Sequence, residues 1–216
     1  MSRYEVFQRI RESGLIGIIR EKSQAAGKQR MELLIQGGVE VLEVSLCTPG
    51  ALDLIAAYAD RRNAFVVGAG TVLDAESARL AILAGAQFVI APNFSSDMAK
   101  ACNRYAVPLF PGVGTVNEII TALEWGCDIV KLFPASSLGP GYIKAVRAPI
   151  PQVYCIPVGG VNIYNIEQWF ESGAFAVAMS SELTHIYGAE DADQNSVLEH
   201  IKNVVKTVKS AQTVIE

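Results

Sequence analysis

Histidine is scarce in this chain: only His185 and His200 occur in 216 residues. The four cysteines, Cys47, Cys102, Cys127 and Cys155, stand far apart, and none forms a CxxC pair. A histidine-rich metal centre, a zinc ribbon and a disulfide framework are therefore excluded as readings, and a reducing, cytoplasmic setting is expected. There is no basic block and no acidic tail; the net charge is −4, with both signs scattered, which argues against a nucleic-acid partner. No apolar run approaches the roughly 20 residues that cross a membrane, so no membrane partner is expected. The opening "MSRYEVFQRIRESG" carries charges throughout and reads as an amphipathic helix over 1–14, not as a leader peptide.

What the chain does have is a rhythm. Short apolar runs occur at 15–20, 39–46, 64–70, 86–92, 107–112, 127–133, 153–160 and 174–180. Each is too short for a helix, and most are rich in Val, Ile and Phe. Between them lie segments of helical period at 23–36, 49–61, 74–84, 95–105, 115–125, 140–147, 163–172 and 193–210, the last within a closing helix over 193–216. Asp74 and Ser95 stand where N-caps belong. Strands that alternate with helices pair in parallel through right-handed crossovers. Eight such units predict an α/β fold of one domain over 1–216, a compact TIM (β/α)8 barrel preceded by the N-terminal helix. An open doubly wound sheet is the other possibility, but the regular rhythm shows no switch point. "GGVEVLEV", "AGAQFVIA", "WGCDIVKL" and "SGAFAVAM" repeat one pattern, a glycine and then a strand. Gly38, Gly85, Gly126 and Gly173 fit helix stops of positive φ.

Barrel chemistry sits at the C-terminal ends of the strands. Seven of the eight lysines lie in helical, mixed-charge stretches, whereas Lys131 interrupts the apolar run "DIVKLFPAS". Strand alternation puts Ile129 and Lys131 on one face and Val130 and Leu132 on the other. An inward Lys131 is desolvated, which disfavours its ammonium and leaves a nucleophilic amine. Its bland reading is a structural lysine that snorkels or pairs. Glu43 is a second isolated charge, sharing a face with Val41 and Ser45; it is either a proton carrier or half of a buried ion pair. "PVGGVN" offers the N–H groups of Gly159 and Gly160 ahead of a helix capped by Asn162, an arrangement suited to an anion, and Ser181 adds a hydroxyl. "GAGT" at 68–71 is either close backbone packing or a carboxylate contact through Thr71.

"GGVEVLEVSL", "VGAGTVL", "GAQFVIAPN", "PLFPGVGTVNE", "VKLFPAS", "GPGYIKAV" and "PVGGVN", in this order over about 15–185, resemble one family. It is the 2-keto-3-deoxy-6-phosphogluconate (KDPG) / 4-hydroxy-2-oxoglutarate (KHG) aldolases. The resemblance implies a class I aldolase on a compact barrel. It would cleave a 2-keto-3-deoxy-6-phospho sugar acid to pyruvate and glyceraldehyde 3-phosphate, or 4-hydroxy-2-oxoglutarate to pyruvate and glyoxylate. It also implies a homotrimer with no metal and no cofactor. By motif, Lys131 becomes the Schiff-base lysine and Glu43 the general acid/base. Thr71 would meet the substrate carboxylate, and Pro92 and Phe133 would line the pocket. Gly159, Gly160 and Ser181 would hold the far, phosphorylated end.

Three positions depart from the family pattern. Many members carry an arginine four residues after the glutamate; here that residue is Cys47, and Arg20 at the end of the first strand is expected to supply the cation. Val158 stands where the gluconate-type enzymes have threonine, as in the galactonate branch, which removes a hydrogen bond to a substrate hydroxyl. Ser180 replaces a glycine beside the phosphate site, so an unphosphorylated 4-hydroxy-2-oxo acid is a further candidate substrate. Two other classes remain open from the residues alone: a phosphosugar isomerase or epimerase, and a silent ligand-binding barrel.

Overall fold

The computed structural model describes residues 1–60, 64–185 and 193–213. The elements run α1 (Arg3–Ser13), β1 (Leu15–Ile19), α2 (Gln24–Gln36), β2 (Val41–Ser45), α3 (Ala51–Ala59), β3 (Val66–Gly70), α4 (Ala75–Leu83), β4 (Val89–Ile90), α5 (Ser96–Arg104) and β5 (Leu109–Phe110). They continue β6 (Gly112–Val113), α6 (Val116–Glu124), β7 (Ile129–Leu132), α7 (Ala135–Leu138), α8 (Pro140–Arg147), β8 (Tyr154–Pro157), α9 (Ile166–Glu171), β9 (Val177–Met179), a 3-10 turn (Ser181–Leu183) and α10 (Gln194–Thr213). The polar stretch "HIYGAEDADQ" at 185–194, which reads as a loop before the last helix, falls mostly outside the described residues. No described helix is long and apolar enough to cross a membrane.

Local signals act as the sequence suggests. Asp74 and Ser95 accept from the backbone N–H groups of Ser77 and Met98, and Ser2 and Glu5 form a capping box at α1. The four repeat glycines take φ values of 77° to 98°, the left-handed turn that stops each helix and aims the chain into the next strand.

All strand pairs are parallel. One sheet has the order β5-β4-β3-β2-β1-β9 and the other β6-β7-β8. The fifth run, expected as one strand over 107–112, is two. Leu109–Phe110 pairs with β4 and Gly112–Val113 with β7, while Pro111 between them has no N–H to give but accepts from the backbone of Lys131 at 2.8 Å. At the other edge, a parallel bridge Val158–Ala178 and a 2.9 Å bond from Phe175 N–H to the Cys155 carbonyl join β8 to β9. The sheets curl, and these links connect one to the other.

Alternation along the strands divides the core. Leu42, Val44, Val67, Val130 and Leu132 face the helices. Ile16, Ile18, Val41, Val66, Ile90, Phe110, Ile129 and Ile156 cluster on the concave side, and Val6 and Ile10 of α1 close that cluster from the strands' N-terminal end. Each such side chain, fully buried, contributes roughly 1.5–3 kcal/mol. The role of α1 as a plug was not legible from its amphipathic pattern.

Gly112 lets two strands pass: a Cβ there would lie 2.2 Å from the carbonyl carbon and oxygen of Pro92. Backbone cannot swing aside as a side chain can. Gly112→Ala is expected to cost about 1–3 kcal/mol or more by overpacking, measured as a lower denaturation midpoint. An unchanged midpoint would show that the strands are not in contact.

Candidate active site

The alternation that builds the concave core also delivers two charges into it. Glu43 follows Val41 on β2 and Lys131 follows Ile129 on β7, so both point where those core residues point. Glu43 is 1% exposed and Lys131 3%. Neither carboxylate oxygen of Glu43 has a hydrogen-bond partner among the described residues. Buried carboxylates are normally satisfied, so Glu43 is unusual in this core.

Burial, the largest influence, pushes the Glu43 carboxyl above its ordinary range, and the charges of Lys131 and Arg20 pull it back. Burial likewise lowers the Lys131 ammonium; Glu43 opposes this and Arg20 adds to it. Burial therefore pushes both groups toward their neutral forms, and their mutual attraction opposes it. The Phe133 ring, 40% exposed, lies 4.7 Å from Nζ of Lys131, so a cation formed at that nitrogen has an aromatic face to rest on.

Above this pair, at the strand ends, is a chain of hydroxyls. Thr71 Oγ1 and Ser45 Oγ are 2.9 Å apart, and Nη2 of Arg20 donates to Thr71 at a long 3.4 Å. Thr71 holds φ = 56°, an uncommon conformation for a β-branched residue, at a cost of about 1–3 kcal/mol. Gly70 just before it packs on Glu43, since a Cβ would fall 1.7 Å from Oε1. Cys47 is exposed and its backbone N–H reaches Ser45 Oγ at 3.4 Å.

Other expected site residues are placed around this centre. Pro92 and Phe133 line a cleft of about 650 Å³ that also takes in Gly112 and Pro134. A Cβ on Gly159 (φ 94°) would lie 3.9 Å from the Phe133 ring, and one on Gly160 (φ 81°) 2.8 Å from Ser136 Cβ. Val158 is buried, and its carbonyl accepts from Ala135 N–H at 3.0 Å. Ser180 donates weakly to the Ile18 carbonyl at 3.4 Å, and Ser181 opens the 3-10 turn. The bridge between Val158 and Ala178 brings the strands that feed these two loops side by side.

One expectation fails. Asn162 does not cap a helix that follows the glycines; α9 begins at Ile166, with Asn165 in the cap position. Asn162 Oδ1 instead accepts from Tyr164 N–H at 2.9 Å, and Asn165 Oδ1 from Asn162 N–H at 2.8 Å. Asparagine side chains compete with the backbone in this way and favour turns. Gly159 and Gly160 therefore offer N–H groups from a turn, not from a helix end.

A brace around Arg20 had no signal in the sequence. Arg30 of α2 pairs with Glu21 at 2.6 Å and also donates to the Thr184 hydroxyl. Glu21 N–H donates to Thr48 Oγ1 at 3.1 Å. The loops after β1, β2 and β9 are tied together by these bonds, which meet at Glu21, the residue next to Arg20 in the chain.

Comparison with known proteins adds a family to this geometry. A model of the family "Aldolase: KDPG and KHG aldolase" matches residues 6–200. A 2-dehydro-3-deoxy-phosphogluconate aldolase of Treponema pallidum (strain Nichols) is 39% identical over 137 residues, 63% of this chain and 65% of that protein, so the match spans just under two thirds of that relative. A 2-dehydro-3-deoxy-6-phosphogalactonate aldolase of Escherichia coli (strain K12) is 32% identical over 174 residues, 78% of this chain and 83% of that one. Among solved structures, a KDPG aldolase from Legionella pneumophila, with pyruvate captured at low pH as a covalent carbinolamine intermediate, superposes with a TM-score of 0.78. It is 27% identical, and 98% of each chain is covered. The chain belongs to the KDPG and KHG aldolase family.

Proposed function

We propose that this chain is a class I aldolase that releases pyruvate from a 2-keto-3-deoxy-6-phospho sugar acid, from 4-hydroxy-2-oxoglutarate, or from both. The observation that carries the reading is the buried, inward-facing pair of Lys131 and Glu43, whose carboxylate has no hydrogen-bond partner among the described residues. Family membership and the carbinolamine named for the Legionella relative support it.

The neutral amine of Lys131 attacks the 2-oxo carbon and forms a carbinolamine. Glu43, in its acid form, protonates the departing hydroxyl; water leaves and a protonated imine remains over the Phe133 ring. Glu43, now a carboxylate, takes the proton of the C4 hydroxyl through a water. The C3–C4 electrons pass into the imine, giving an aldehyde and an enamine. Protonation of the enamine at C3 and hydrolysis release pyruvate and restore Lys131. The substrate carboxylate lies at Arg20, Thr71 and Ser45. The far end lies toward Gly159, Gly160, Ser180 and Ser181, whose remote binding orients the reacting carbon. Pro92 lines the pocket, and Val158 presents a methyl group to a substrate hydroxyl.

Sodium borohydride with pyruvate tests the reading. The expected result is irreversible inactivation and a mass adduct on Lys131. No adduct would transfer the protein to the phosphosugar isomerase or epimerase class, or to the silent barrels. Pyruvate release from a panel of 2-oxo acids then ranks the substrates.

Arg20→Ala is expected to raise KM for the keto acid about tenfold to hundredfold, because a charge-assisted hydrogen bond is worth about 1.5–3 kcal/mol, with a smaller change in kcat. A normal KM would remove Arg20 from the carboxylate site.

The same reading closes the two sheets into one (β/α)8 barrel, with β5 and β6 as halves of its fifth strand, in a single domain over 1–216. A homotrimer is part of it. The apolar Leu80, Leu83, Val116 and Ile120 on α4 and α6 are exposed and suit a contact between copies. Four free cysteines fit a cytoplasmic location.

A further inference from the structure

The ion pairs Lys28–Glu32, Lys100–Asp97 and Lys202–Glu199 each join residues three or four apart, and their side chains are well exposed. Such pairs contribute little. Arg30–Glu21 differs from them. It ties α2 to the loop after β1, and its side chains are only 23% and 20% exposed. Nε and Nη2 of Arg30 both meet Oε1 of Glu21, at 2.8 and 2.6 Å, while Nη1 donates to the Thr184 hydroxyl in the loop after β9. One guanidinium thus spans the loops of the first and last strands. A lysine would supply the charge for Glu21, so an ion pair alone does not account for the planar fork that also reaches Thr184.

The two loops carry opposite ends of the proposed pocket: Arg20 precedes Glu21, and Ser180 and Ser181 precede Thr184. They are not held alike. The Thr48 hydroxyl, in a residue 2% exposed, accepts from Glu21 N–H at 3.1 Å and reaches the Ile19 carbonyl at 3.4 Å. Arg20 therefore has ties on both sides that do not involve Arg30. The other loop is anchored by Leu183, which is buried, and by the Glu182 carbonyl, which His200 Nε2 meets at 3.0 Å. Ser180 adds only a weak 3.4 Å bond to the Ile18 carbonyl. Thr184 donates from its N–H to the Ser181 carbonyl at 2.9 Å, and its hydroxyl lies 3.4 Å from the same oxygen. Arg30 thus reaches Ser181 through a single residue.

We infer that Arg30 is a positioning residue that fixes the distance between the Arg20 end of the pocket and the Ser180–Ser181 end, and so fits the pocket to the length of its keto acid. This role rests on the reading in which the substrate spans those two ends. A ligand that spans both ends senses the spacing, because its reacting carbon is placed by both; pyruvate, which has no far end, does not.

Thr184→Val removes the acceptor and leaves the Arg30–Glu21 pair in place. Arg30→Lys keeps the charge and loses the fork. Each is expected to raise KM about threefold to tenfold, the scale of one hydrogen bond, with little change in kcat. The substrate for this measurement is 2-keto-3-deoxy-6-phosphogluconate or 4-hydroxy-2-oxoglutarate, whichever is cleaved better. The pyruvate concentration that half-saturates borohydride trapping at Lys131 should stay at the native value, as should the denaturation midpoint of Thr184→Val. Thr184→Ser restores the acceptor and should restore the native KM. The double variant should be hardly worse than either single one, since both cut one bond. Unchanged KM in Thr184→Val, equal rises for pyruvate and the full keto acid, or additive losses would overturn the inference. A native protein that forms no pyruvate adduct would remove the proposed function and this role together. An adduct with unchanged KM in the variants removes this role alone.

Discussion

Lys131→Met is expected to lower pyruvate release by roughly 10⁴-fold or more, the scale of losing one member of a covalent catalytic unit. No borohydride adduct should form. The fold should survive, because methionine fills the lysine's path along the concave core and removes a desolvated amine. Stability should instead change its dependence on pH. In the variant Glu43 stays buried, and its carboxyl loses the Lys131 charge that pulled it back toward its ordinary value. A folded carboxyl raised above its unfolded value binds more protons than the unfolded chain in the window between the two. Stability conferred by the neutral acid is therefore present at low pH and is lost as pH rises through that window. In the native protein the lowered Lys131 acts in the opposite sense: the folded state binds fewer protons, so stability rises with pH between the folded and unfolded lysine values. Denaturation midpoints measured from pH 4 to 9 in both proteins check this. A variant that retains activity would end the imine reading, and one whose midpoint is independent of pH would end the account of Glu43.

Gly70→Ala should reproduce the loss of the carboxylate without touching it. The new methyl would lie 1.7 Å from Oε1, 2.3 Å from Cδ and 2.5 Å from Cγ of Glu43. Glu43 must turn away, and at 1% exposure it has little room to do so in place. The expected fall in kcat is about 10²–10⁴-fold, the usual range for a displaced general acid or base, with a smaller change in KM. Glu43→Gln should fall by a similar factor. The double variant should be hardly worse than either single one, since both act on one group. Additive losses would mean that Gly70 serves the site in another way.

The positions of Lys131 and Glu43 were legible because charge is conspicuous in a buried strand and alternation states which way it points. Helix stops at Gly38, Gly85, Gly126 and Gly173 were legible for a similar reason, since only glycine takes positive φ without strain. The division of the fifth strand was not. Pro111 signals it only when the neighbours are known, and the decisive contact, Gly112 on the Pro92 backbone, leaves no mark in the residue pattern. Likewise, an Arg–Glu–Thr brace such as Arg30, Glu21 and Thr184 has no periodicity to betray it. Asn162 misled because the residue that caps a helix also closes turns, and the sequence alone does not say which bond it makes.

The seam through Pro111 bears on how the protein acquires its chemistry. Glu43 belongs to the six-stranded sheet and Lys131 to the three-stranded one. The smaller sheet is assembled from residues near one another in the chain, whereas the larger needs β9 to return to β1, a pairing with a costly loop closure. A chain with only one sheet formed holds half of the pair. During refolding, the appearance of imine-forming capacity thus times the meeting of the two sheets, and reports a long-range folding event that the helix signal alone would not register.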